Sequence, residues 1–279
     1  MDLFKNAEVI FKNIENKKPI VHNISNIVTV NDCANITLAA GGSPTMADNP
    51  DEVEDITKAC AGFVINMGNI SDYLVESMIR AGKMNNNIGH PVVLDPVGAG
   101  AAAKRNSVLF KLMENVNFSV IRGNISEIKF LATGSGAAKG VDADENDKVT
   151  YENLDKTVGF AKELSRKTGA VIAISGEFDI ISDSTRAYII KNGHNIMSKV
   201  TGTGCMLSSL IGVFCSANPD DILNAAAVAV SSFGYAGELA YKKTVETEGG
   251  TSSFRMHLID YVSKMTADVF KEGAKIEVR

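Results

Sequence analysis

Five short apolar runs, each followed by an amphipathic stretch of helical length, constrain this chain more than any other feature of its sequence. They lie at 19–24 (PIVHNI), 61–66 (AGFVIN), 91–95 (PVVLD), 117–121 (NFSVI) and 170–175 (AVIAIS). A strand covered on both faces reads as a near-continuous hydrophobic run, and helices between such strands allow them to run parallel. The pattern predicts an α/β fold with a mostly parallel central sheet and helices on both faces. Leu3, Ala7, Ile10 and Ile14 recur at helical spacing and predict a helix ahead of the first strand. Between 178 and 190, FDIIS and RAYII flank Asp183-Ser184-Thr185, which predicts an antiparallel hairpin. Beyond the hairpin the pattern is helical to the end. The segment 134–150 (GSGAAKGVDADENDKVT) reads as an exposed insertion or loop.

At roughly 150 residues per domain, 279 residues allow one large domain or two small ones, and the unbroken alternation favours a single domain over 1–279. With 45% hydrophobic and 22% charged residues the chain can build a sizeable core. Its 28 Lys+Arg against 33 Asp+Glu give a net charge of −5, so a basic stripe for nucleic acid is not expected, while a local pocket for one small anion stays open. Cys33, Cys60, Cys205 and Cys215 form no C-x-x-C pair, which fits a reduced cytoplasm. Charges at Lys5, Glu8, Lys12 and Glu15 interrupt the N-terminal stretch, so no signal peptide is expected. The longest uncharged window, 200–219, has the length of a membrane span. It opens with Thr-Gly-Thr-Gly and closes on Asn218-Pro219, so it reads as a buried helix entered through a glycine turn, with no membrane partner.

That turn, Val200-Thr201-Gly202-Thr203-Gly204-Cys205, runs straight into the apolar stretch Met206–Ile211. Glycines before a helix let its first N–H groups approach an anion, and the helix dipole adds positive charge there. The spacing alone equally allows a tight turn whose glycines only permit close packing. Cys205 stands where a helix start should lower a thiol pKa from its reference of about 8.5, making it a candidate base or nucleophile. The alternative is an inert buried cysteine, and none of His22, His90, His194 and His257 is near it in sequence. Asn124-Ile125-Ser126-Glu127 has the form of a helix capping box. Asp95 closes an apolar run before Pro96, either at the strand end where open α/β sheets bind ligands or as the first residue of a turn.

T-G-T-G-C before an Ala-rich helix resembles the anion-hole motif of ribokinase-like kinases, with Cys where most carry Asp. A Cys there is similar to the hydroxyethylthiazole kinases of thiamine salvage, and four other segments match that family in order. They are Val21–Thr29 (VHNISNIVT), Gly42–Ala47 (GSPTMA), Val93–Gly100 (VLDPVGAG) and Ile121–Glu127 (IRGNISE). The resemblance implies a ribokinase-like three-layer sandwich that phosphorylates the primary hydroxyl of 4-methyl-5-(2-hydroxyethyl)thiazole, using ATP and Mg²⁺. It implies that Gly202 lines the acceptor site, that Thr203 and Gly204 bind ATP phosphates through the turn, and that Cys205 takes the catalytic base position. By the same resemblance Asn23, Asn26, Met46 and Gly68 read the thiazole, Arg122 and Ser175 contact ATP, and Asp95 and Glu127 serve the metal. The family further implies a homotrimer with sites between subunits. The competing expectations are another ribokinase-like activity, such as a hydroxymethylpyrimidine kinase or a nucleotide-dependent NAD(P)H-hydrate dehydratase, and a nonenzymatic nucleotide sensor.

Overall fold

The computed structural model describes residues 3–134 and 148–279, so residues 135–147 of the loop expected over 134–150 lie outside the described residues. One nine-stranded sheet carries the chain. In chain order its strands are β1 (Ile20–Ile24), β2 (Ser43–Thr45), β3 (Gly62–Asn66), β4 (Val92–Asp95), β5 (Val120–Asn124), β6 (Val171–Ser175), β7 (Asp179–Ser182), β8 (Ala187–Ile190) and β9 (Ile276–Val278). The helices are α1 (Leu3–Lys17), α2 (Val30–Ala39), α3 (Val53–Lys58), α4 (Asp72–Asn87), α5 (Ala103–Asn115), α6 (Ile125–Thr133), α7 (Leu154–Thr168), α8 (Thr203–Ala217), α9 (Ile222–Glu246), α10 (Thr251–Ser263) and α11 (Ala267–Gly273).

The sheet order is β2-β1-β3-β4-β5-β6-β7-β8-β9. The first six strands pair in parallel, and the β7–β8 hairpin and β9 extend the sheet antiparallel. Side chains alternate across a strand. Val21, Val64, Val93 and Val120 therefore enter one core with α1, α2 and α8 to α11, while Phe63, Ile65, Leu94 and Ile121 enter a second with α3 to α7. This is the expected three-layer arrangement.

Four expectations are corrected. The strand expected over 117–121 is β5 at 120–124, because Arg122, Gly123 and Asn124 keep their pairing with β6 after the apolar run has ended. The helix after β1, which the apolar pattern places at 27–40, begins at Val30, because the Asn26 side-chain oxygen accepts the N–H groups of Val28 and Thr29 and holds a turn there. The C-terminus is not helical to its end, since β9 pairs with β8. The edge strand β2 carried no apolar signal; it is three half-exposed residues held by β1.

α8 fixes the geometry of everything that follows. A Cβ on Gly62 would lie 2.1 Å from Ser216 Oγ, and one on Gly212 would lie 2.4 Å from Val64 Cγ2, so these two glycines let the helix press onto β3. Ser216 lies against the start of β3 and Ser208 hydrogen-bonds the end of β4, so α8 runs opposite to the strands. Its N-terminus therefore stands over their C-terminal ends. Among the described residues one helix, α9, is long and apolar enough to cross a membrane, and 78% of its apolar window is buried in the protein.

Candidate active site

Gly202 caps α8 at φ +86°, in the left-handed region that favours glycine. A Cβ there would meet Thr29 Cγ2 at 2.6 Å, and a Cβ on Gly204 would meet Arg122 Nη1 at 2.7 Å. The turn is thus packed closely on two neighbours. It also starts a helix: the Met206 N–H bonds the Gly202 carbonyl at 2.8 Å, leaving the amides of Thr203, Gly204 and Cys205 with no intrahelical acceptor. Close packing and an anion-receptive helix end coexist here.

From this end a continuous chain of polar contacts crosses the strand ends. Asn26 Nδ2 lies 3.5 Å from Cys205 Sγ and donates to Asn66 Oδ1 at 3.0 Å. The same Asn66 oxygen accepts the Gly68 N–H at 2.9 Å, and Asn66 Nδ2 donates to Asp95 Oδ2 at 3.0 Å. Asp95 Oδ2 also accepts from Ser208 Oγ at 2.8 Å and lies 3.6 Å from Arg122 Nη1. Arg122 Nη2 then donates to Ser175 Oγ at 2.7 Å. Cys205, Asn26, Gly68, Asp95, Arg122, Ser175 and Gly204 are therefore brought together.

Asp95 is fully buried, and its Oδ1 has no hydrogen-bond partner among the described residues. Burial pushes its carboxyl pKa up, while Arg122, Ser208 and Asn66 pull it back. Glu127 accepts the Gly98 N–H at Oε1 and the Asn124 N–H at Oε2, both at 2.9 Å, and Asn124 caps the Glu127 N–H in return. The capping box predicted from the tetrad is formed. Burial first, and the charge of Asp95 second, raise Glu127 to about 7. Among the described residues no three His, Cys, Asp or Glu side chains gather as a ready metal nest.

The thiol corrects an expectation. Burial, helped by the charge of Asp95, raises Cys205 to about 11, so desolvation outweighs the helix end and the group is held as a neutral thiol. Asn23 is buried, with Nδ2 on the Val21 carbonyl and Oδ1 accepting from Ser209 Oγ; its amide ties β1 to α8. Met46 is half-buried just beyond β2. Thr203 spends its hydroxyl on the Met197 carbonyl at 3.1 Å, which leaves its backbone amide as the part facing the turn's mouth. Two connecting residues were missed: Asn66, whose only signal was a polar residue closing AGFVIN, and Ser208, a polar position in an apolar helix. Arg105 was missed as well. It donates to the carbonyls of Met67 at 2.6 Å, Gly68 at 3.0 Å and Val97 at 3.1 Å.

A parallel sheet with antiparallel extension, an anion-receptive helix end above its strand termini and an acid-arginine pair beside it define the class: a ribokinase-like small-molecule kinase. The solved pyridoxal kinase of Staphylococcus aureus in complex with AMP-PCP shares this fold at TM-score 0.55 and 14% identity, over 77% of this chain and 86% of that one. The particular family follows from closer relatives. The profile of the Hydroxyethylthiazole kinase family matches residues 11–268, and the chain belongs to that family. It is 52% identical to the hydroxyethylthiazole kinase of Clostridium acetobutylicum over 266 residues, covering 95% of this chain and 97% of the relative. The structure of the Pyrococcus horikoshii hydroxyethylthiazole kinase superposes with TM-score 0.86 at 31% identity, over 99% of both chains.

Proposed function

We propose that the chain transfers the γ-phosphoryl group of ATP to the primary hydroxyl of 4-methyl-5-(2-hydroxyethyl)thiazole, the salvage step that returns thiazole to thiamine synthesis. The observation that carries this reading is the polar chain itself. It links the acceptor-side residues Cys205, Asn26 and Gly68 to the phosphate-side residues Asp95, Arg122 and Ser175 across the N-terminus of α8. Phosphoryl transfer passes through a loose transition state, so positioning and charge neutralisation carry most of the catalysis. The amides of Thr203, Gly204 and Cys205 meet the charge on the transferring group, with Gly202 lining the acceptor side. Arg122, bridged to Ser175, faces the ATP phosphates, where a guanidinium matches phosphate geometry. Asn26 and Gly68 orient the acceptor, Met46 packs on the flat thiazole ring, and Asn23 supports them from behind through Ser209. Cys205 orients the acceptor hydroxyl, whose proton passes late to an oxygen of the transferred phosphoryl group, so the thiol stays neutral.

The residues fit Mg²⁺. Asp95 offers an unpartnered buried oxygen, Glu127 adds charge beside it, and the shortage of further ligands suits an ion that keeps most of its waters. Held there, it would neutralise phosphate charge.

The same reading makes the chain one kinase domain, working in the cytoplasm as a homotrimer. In support, Ile27 and Val28, directly after Asn26, are 80% and 68% exposed, an apolar tip that a second copy would cover. Coupled ADP release with hydroxyethylthiazole, hydroxymethylpyrimidine, ribose and hydrated NADH tests the function. The thiazole should give the largest kcat/KM, and a larger value for hydroxymethylpyrimidine would reassign the acceptor.

A further inference from the structure

His22 belongs to the motif that carries Asn23 and Asn26, yet the chemistry above gives it no task. It lies on β1, fully buried, with its ring stacked on Phe63 at a centroid distance of 4.7 Å and an interplanar angle of 29°. Its Nε2 lies 2.7 Å from the carbonyl oxygen of Ala47. A carbonyl only accepts, so Nε2 carries the proton and donates. Burial pushes the ring's pKa down to about 4, so it is neutral at physiological pH and Nδ1 is a bare acceptor. The Thr57 hydroxyl on α3 supplies the matching donor at 3.1 Å. Stacking and two hydrogen bonds thus fix the ring in one tautomer and one orientation.

What the ring holds is the backbone next to Met46. The segment follows β2, a three-residue edge strand whose parallel partner is β1, and has little sheet of its own to fix it. A further restraint is Ser77 Oγ on α4, which donates to the Asp48 carbonyl at 2.6 Å. Arg122 and Ser175 stand on β5 and β6. β5 alone is three strand spacings from β1, about 14 Å at the usual ~4.8 Å per strand.

We propose that His22, its tautomer fixed by Thr57, is a positioning residue for the phosphate acceptor: it sets where Met46 stands and so sets acceptor affinity without touching the nucleotide side. This rests on Met46 being an acceptor contact. The test is steady-state kinetics of His22→Leu, His22→Gln, Thr57→Val, Met46→Ala and the His22→Leu/Met46→Ala double variant, beside thermal melts. His22→Leu should raise the thiazole KM about tenfold, the scale of one lost buried hydrogen bond, with ATP KM and kcat within about twofold of wild type. Gln keeps one N–H donor and one acceptor, so His22→Gln should return the KM to within about threefold of wild type. Thr57→Val should move the KM in the same direction by less, and it keeps the test alive if His22→Leu does not fold. The double variant should be little worse than its worse parent, because His22 acts through Met46. A lower melting temperature with unchanged thiazole KM, or equal rises in both substrates' KM, would overturn the role. Wild-type turnover of the thiazole reports separately on the acceptor assignment. An unchanged thiazole KM in Met46→Ala would remove Met46 as a contact, and this proposal with it.

Discussion

Two readings meet at Glu127. The tetrad Asn124–Glu127 predicted a helix cap, family resemblance implied a metal-side carboxylate, and the side chain caps α6 while lying close enough to Asp95 to feel its charge. Because burial already raises this carboxyl to about 7, exchanging it for a neutral amide sheds a costly charge even as one of its two backbone bonds is lost. Glu127→Gln should therefore lower kcat by about tenfold or more and raise the Mg²⁺ concentration for half-maximal rate, with the melting temperature falling by only about 2–4 °C. Rates titrated against Mg²⁺ beside a melt check this; unchanged magnesium dependence leaves Glu127 a cap alone. At Cys205, sequence located the residue but misjudged its acidity. Helix position is visible along a chain, whereas the desolvation that dominates the thiol comes from packing between distant segments.

Elements buried on both faces were legible because burial writes itself as continuous apolarity: β1, β3, β4 and β6 lie within a residue or two of their predicted runs. β2 and β9 were not, since each is a three-residue edge held by one neighbour's backbone, and pairing leaves no mark in side-chain type. The loops between elements were equally silent about Arg105, a polar residue of α5 whose partners are backbone carbonyls. Its guanidinium ties the Met67-Gly68 loop after β3 to Val97 after β4, next to Gly98, whose N–H holds Glu127. Lysine keeps the charge but not the fork that spans three carbonyls. Arg105→Lys should lower kcat/KM for the thiazole about tenfold, through the displaced loops, while Arg122 keeps ATP KM within about threefold. Steady-state kinetics with each substrate varied in turn decides it, and a wild-type profile would show that the loops hold without the bridge.

At the scale of the whole molecule, α8 converts a parallel sheet into a site by standing its N-terminus over the C-terminal ends of β3 and β4, with Arg122 of β5 against Gly204. The glycine turn was legible as a motif, but its close packing on Thr29 and Arg122, segments distant in sequence, was not. In the proposed reaction this turn, more than the thiol beside it, drives phosphoryl transfer. The direct measurement is kcat for Gly202→Ala and Cys205→Ala, each checked as folded by its melt. Alanine at φ +86° costs about 1–2 kcal/mol in backbone strain and must displace Thr29, so the amides lose their alignment. Losing the thiol that orients the acceptor hydroxyl costs about 10- to 10³-fold in a loose transition state. The account predicts that Gly202→Ala loses more kcat than Cys205→Ala, and that Cys205→Ala keeps its thiazole KM within about threefold of wild type. A near-wild-type Gly202→Ala enzyme beside an inactive but folded Cys205→Ala enzyme would contradict it.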